Sequence, residues 1–167
     1  MFPHMSSANV FQPEWDIELP EPFRMRGMRL GPRIGARSLG GTLYELDPGG
    51  AVSPYHVHHA NEEMLLVVSG RPSLRTPEGT RELAAGEFVG FPTGAAGAHR
   101  VFNASDEPAR VLLISTMLFP EIAEHLDTGA LLAMTAPSEG KVYPEGTDVS
   151  IIEAIQRGMR AAGEHEG

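Results

Sequence analysis

His56, His58, His59, Glu62 and Glu63 fall within eight consecutive residues. His56 and His58 are two apart, so on a strand both imidazoles leave one face of the sheet and His59 leaves the other. Ala60-Asn61 interrupts the extended pattern, and a turn there would fold a carboxylate back beside the two rings. Neutral nitrogen donors joined by one anionic oxygen suit Fe, Mn, Ni, Cu or Zn and match Ca or Mg poorly. A His-x-His pair by itself is more often a polar hairpin tip, so a further donor is needed. Gly86 to Gly94 reads as a strand entering a Pro/Gly turn, and His99 and Asn103 follow it. Alternation from His58 favours Glu62 as the carboxylate, while a break at Ala60-Asn61 admits Glu63.

Composition narrows the chemistry. The chain has no cysteine, which excludes disulfides, a thiolate nucleophile and Cys-type zinc sites. Any metal is therefore held by nitrogen and oxygen. A net charge of −9 and a pI near 5.2 argue against nucleic-acid partners and anionic membrane surfaces. At 167 residues the chain has one-domain size. It contains no twenty-residue apolar run, and Met1 opens no signal peptide, so a cytoplasmic protein without a membrane partner is expected.

The elements that must position the histidines read as short strands. Met25–Met28, Thr42–Leu46, Ala51–His58, Glu63–Val68, Pro72–Thr76, Arg81–Ala84, Glu87–Phe91, His99–Asn103 and Arg110–Met117 are separated by turns such as Asp47-Pro48-Gly49-Gly50 and Pro77-Glu78-Gly79. This spacing predicts an all-β barrel or sandwich. Residues 1–22, with Pro3, Pro13, Pro20 and Pro22, form an irregular N-terminal arm carrying the sole tryptophan, Trp15. Its Phe11, Trp15, Ile17 and Leu19 are expected to dock on the barrel or on a second subunit. Residues 119–167 form a C-terminal extension. Phe119–Leu126 reads as a short helix with Pro120 at its first position and Gly129 ending it, and Ala130–Met134 reads equally as another strand. Ser150 and Glu153 make a capping box for a helix near 151–162, expected to lay Ile151, Ile155 and Met159 on the barrel's outer wall.

Ten of these residues carry a resemblance to the cupin superfamily. Gly50, His56, His58, Glu63 and Gly70 fill the pattern G-x5-H-x-H-x3,4-E-x6-G, and Gly86, Pro92, Gly94, His99 and Asn103 fill G-x5-P-x-G-x2-H-x3-N, with four residues, Ala95 to Ala98, where two are usual. No second copy appears, and fifteen residues separate Gly70 from Gly86, so the chain is similar to single-barrel bacterial members. The resemblance implies a double-stranded β-helix, a jelly-roll-like barrel over residues 23–118. It also implies one divalent transition metal (Fe, Mn, Ni or Zn) on His56, His58, Glu63 and His99. Four protein ligands leave open positions on a metal that prefers six. The resemblance spans dioxygenases, isomerases, decarboxylases, storage proteins and sensor domains, so it implies no single reaction. A metalloenzyme acting on a small oxygenated substrate is expected, with a ligand-binding module without catalysis as the alternative. Asn103 is expected to bond backbone and not metal. Arg29, Tyr44, Arg75, Arg100 and Met117 are candidate pocket residues. The small residues Gly94 to Ala98 are expected to leave room beside the metal, and the arm to pack on the neighbouring barrel of a homodimer.

Overall fold

The computed structural model describes residues 6–137, 139–147, 149–150 and 152–157. Thirteen strands follow in chain order: β1 (Ile17–Leu19), β2 (Met25–Arg29), β3 (Leu39–Leu46), β4 (His56–His58), β5 (Glu63–Ser69), β6 (Ser73–Thr76), β7 (Gly79–Glu82), β8 (Phe88–Phe91), β9 (Arg100–Phe102), β10 (Ala109–Thr116), β11 (Glu121–His125), β12 (Ala130–Ala136) and β13 (Glu139–Tyr143). A short helix, α1 (Leu30–Ile34), joins β2 to β3.

One layer is a six-stranded antiparallel sheet ordered β1-β2-β3-β10-β5-β8. Facing it are a three-stranded sheet, β7-β6-β9, and a four-stranded sheet, β13-β12-β11-β4. An isolated antiparallel bridge between His56 and His99 joins these two smaller sheets. Both of its hydrogen bonds form, His56 N–H to His99 O at 3.1 Å and His99 N–H to His56 O at 2.9 Å.

Alternation decides which side chains enter the core. Leu65 and Val67 of β5, Val111 and Leu113 of β10 and Phe91 of the neighbouring β8 point inward and meet Leu74, Leu83 and Val101 from the opposite layer. Each large aliphatic side chain buried this way contributes roughly 1.5–3 kcal/mol. Asn103 is fully buried, and its Nδ2 donates to Leu46 O (3.0 Å) and Glu107 O (2.8 Å). It bonds backbone, as its place in the sequence suggests.

The flanks differ from the sequence reading. The arm is not wholly irregular, because Ile17–Leu19 pairs with Met25–Gly27. Within the chain it contacts the barrel. Trp15 stacks beneath the Arg26 guanidinium, 5.0 Å from the ring centre, and Glu14 accepts from Arg33 at 2.6 Å. Phe119–Leu126 holds a strand and not a helix: β11 pairs with both β12 and β4, and Pro120 only precedes it. Residues 152–157 are helical and Ser150 Oγ caps Glu153 N–H at 3.1 Å. Ile152 and Ile155 are 65% and 53% exposed, so these two do not pack on the outer wall as expected. Ile151 and residues 158–162, Met159 among them, lie outside the described residues. Among the described residues, no helix is long and apolar enough to cross a membrane.

Candidate metal centre

Glu63 opens β5 in the large sheet, whereas His56 and His58 lie on β4 and His99 immediately precedes β9 in the opposite layer. The four side chains therefore meet between the layers. His56 Nε2 lies 3.1 Å from His58 Nε2, and one Glu63 carboxylate oxygen lies 3.5 Å from His58 Nε2 and 3.2 Å from His99 Nε2. Donor atoms of His56, His58 and Glu63 all fall within 4.8 Å of one another. His99 lies beside His56, its ring 4.5 Å from that one and 6.4 Å from that of His58. Glu62 is exposed and His59 points outward toward Glu124, 3.8 Å away.

The other nitrogen of each ring shows what the inner ones are for. His56 Nδ1 is 3.0 Å from Pro54 O and His99 Nδ1 is 2.8 Å from Gly97 O. Carbonyl oxygens only accept, so both Nδ1 atoms carry the proton and both Nε2 atoms present lone pairs. His58 Nδ1 is buried without a hydrogen bond and aims at a Glu121 oxygen 3.5 Å away. Three ring nitrogens and a carboxylate thus face one another with no donor supplied by the surrounding chain. Such a donor set fits a divalent ion bound by nitrogen and oxygen.

Titration tendencies agree. Burial, with the neighbouring His99 and His58 adding to it, pushes His56 down to about 4. Burial alone would lower His58, but the hydrogen bond to Glu63 and the Glu63 and Glu121 charges outweigh it and raise the ring above its ordinary 6.5. Burial would likewise raise Glu63, yet His58 and His99 hold its carboxyl far below the usual range. The site is short of positive charge, and a proton or a cation relieves it.

Glu121 had no signal in the sequence beyond one acidic residue in a segment readable as a helix start. It is 1% exposed and accepts the backbone N–H of His59 (3.0 Å) and Ala60 (3.5 Å), along with Asn61 Nδ2. Asn61 also accepts the Leu118 N–H at 2.8 Å. The break at Ala60-Asn61 is thereby pinned to the segment leading into β11, which fixes the turn that returns Glu63 to the histidines.

The loop before His99 behaves otherwise than expected. Ala95–Gly97 forms one 3-10 turn, which absorbs the two extra residues. A Cβ at Gly97 would overlap Pro92 O, so glycine lets this turn press against the β8 exit while its carbonyl orients His99. Ala96 and Ala98 face a separate groove with Thr76, Val89 and Phe91, so these small residues leave no room beside the donors. Room lies elsewhere, in an open cavity of about 360 Å³ that includes all four candidate ligands. Tyr44, Leu113, Met117 and Phe119 line it too. Of the candidate pocket residues, Tyr44 and Met117 are present there. Arg29, Arg75 and Arg100 are not, and Arg75 instead forms a two-point ion pair with Asp127 at 2.8 and 2.9 Å.

A family model described as the cupin domain matches residues 42–115. Among solved structures, a sugar phosphate isomerase from a cupin superfamily of Silicibacter pomeroyi is 25% identical with a TM-score of 0.73, over 87% of this chain and 98% of that one. A protein of Acidithiobacillus ferrooxidans, named provisionally as a sugar phosphate isomerase, is 28% identical with a TM-score of 0.67, over 75% of this chain and 81% of that one. The polyketide cyclase of Streptomyces resistomycificus shares the fold at 23% identity and a TM-score of 0.56, over 68% of this chain and 80% of that one. No curated protein matches the chain in sequence.

Proposed function

The chain belongs to the cupin superfamily, and we propose that it is a metal-dependent enzyme acting on a small oxygenated organic substrate by isomerase- or oxygenase-type chemistry. One observation carries the reading: three imidazoles and an ionised carboxylate converge beside an open cavity, with the outer nitrogens of His56 and His99 already tied to backbone carbonyls. His56, His58, Glu63 and His99 would hold one divalent ion, Fe, Mn, Ni or Zn. Such an ion supplies Lewis-acid or redox chemistry toward a substrate oxygen.

The remaining work falls to the chain. Leu113, Met117 and Phe119 give the cavity an apolar wall that limits water. Burial raises the Tyr44 phenol, a hydrogen bond with Thr42 opposes this, and the Glu63 charge adds to the rise. Tyr44 therefore keeps its proton at neutral pH and can donate it in a hydrogen bond to a ligand oxygen. Isomerase chemistry draws support from the names of the two bacterial relatives above.

The test is metal analysis of purified protein, with one equivalent of transition metal expected per chain. His58→Ala should lower the content at least about tenfold, and unchanged content refutes the assignment. Bound metal and bound ligand without turnover of any oxygenated substrate would favour the ligand-binding module.

A further inference from the structure

The sign and placement of charge around the cavity limit what can enter it. Glu63 and Glu121 both line it, and among its described lining residues there is no lysine or arginine. Four of the arginines near the barrel are engaged elsewhere: Arg26 and Arg110 on Glu45, Arg33 on Glu14, Arg75 on Asp127. Besides the candidate ligands and Glu121, the cavity offers an incoming molecule neutral polar groups, the hydroxyls of Tyr44 and Ser115 among them, and the apolar surface of Leu113, Met117 and Phe119. Ser115 pairs with Glu63 across the ladder and Leu113 with Leu65, so the polar end of the wall lies level with the metal-ligand carboxylate and the apolar side chain one pleat away.

A phosphate ester carries close to two negative charges at neutral pH, and proteins hold that charge with Arg, Lys or clustered backbone N–H donors. Here a divalent ion would offset the two carboxylates already present and leave nothing over for a dianion. Resting on the metal-site reading above, we infer that the cavity takes an uncharged ligand of the hydroxyketone or diketone class and discriminates against phosphate esters. On this inference the chain would share isomerase-type chemistry with the two relatives but not the sugar phosphate in their names.

The experiment is calorimetric titration of the purified, metal-analysed protein with acetylacetone, acetoin, dihydroxyacetone and dihydroxyacetone phosphate. At least one uncharged probe is expected to bind, and the phosphate at least tenfold more weakly than dihydroxyacetone. Met117→Arg, which places a cation on the cavity wall, should tighten the phosphate at least tenfold with metal content unchanged. Phosphate binding by the wild type as tight as that of its uncharged partner overturns the inference, as does a failure of every uncharged probe. Protein that takes up no metal at all refutes the underlying site instead, and the metal analysis separates the two failures.

Discussion

The donors of the site are held in place by residues outside the candidate ligand set. Glu121 fixes the turn at Ala60-Asn61 and aims at His58 Nδ1, so its loss should act through geometry. Glu121→Gln is expected to weaken metal affinity about 10–100-fold, read by competition with a chromogenic chelator. A fold change below about two would mean that His58 needs no such partner. The ligands themselves were legible because they sit at fixed offsets around glycines and prolines. Glu121 was not, because it lies about sixty residues from the turn it pins and belongs to no local pattern. Away from the site, Glu45 is buried between Arg110 and Arg26. Burial alone would raise its carboxyl, but those hydrogen bonds and charges hold it below its ordinary 4.5. A depressed folded value means that its stabilisation is complete above about 4.5 and is lost as pH falls through the lower value. Wild type should thus lose stability below pH 4.5 more steeply than Glu45→Gln, and parallel urea midpoints for the two proteins would remove Glu45 from the account.

At the level of elements, the strands from β2 to β10 follow in order from alternation and turn chemistry, since one face of most of them is core and the period of two leaves little choice. Even so, β4 keeps only the last three residues of the expected Ala51–His58, and the exposed β7 starts two residues before the expected Arg81–Ala84. β11 to β13 were harder. Pro120 at the head of Glu121–His125 imitates a helix start, and only pairing to β4, which no local signal reveals, makes it a strand. The 3-10 turn before His99 illustrates the same limit, because small side chains signal close approach without saying to what. Here the partner is Pro92, so Gly97→Ala should force the turn and His99 out of place. A destabilisation of about 1–3 kcal/mol is expected, with weakened metal binding, checked by thermal unfolding with and without metal. Gly40→Ala is a gentler change. Its new methyl would press on the Met117 sulfur, 2.6 Å away, which a flexible thioether can yield. Ligand affinity should shift while the melting temperature hardly moves.

For the whole molecule, the outer face of the large sheet is an open surface. Register sets Leu66 beside both Leu112 and Phe88, and Met64 beside Ile114, and Met64 and Phe88 are 40% and 59% exposed. We propose that a second copy covers this face as a homodimer, which sedimentation of Phe88→Glu should convert to monomer; a wild type that sediments as monomer at high concentration removes the idea. The His56–His99 bridge has its own consequence at this scale. The two reciprocal amide bonds at this bridge and the bridge from Ala51 to Phe102 are among the bonds that join the smaller sheets into one layer. The two residues at that seam are also candidate metal ligands, so an ion there would clasp two separately hydrogen-bonded sheets. Holding metal at 100 times its dissociation constant adds about 2.7 kcal/mol to the closed form. The amides of His56 and His99 should then exchange with solvent deuterium far more slowly in loaded protein than in stripped protein, making the seam a latch whose opening is set by metal supply.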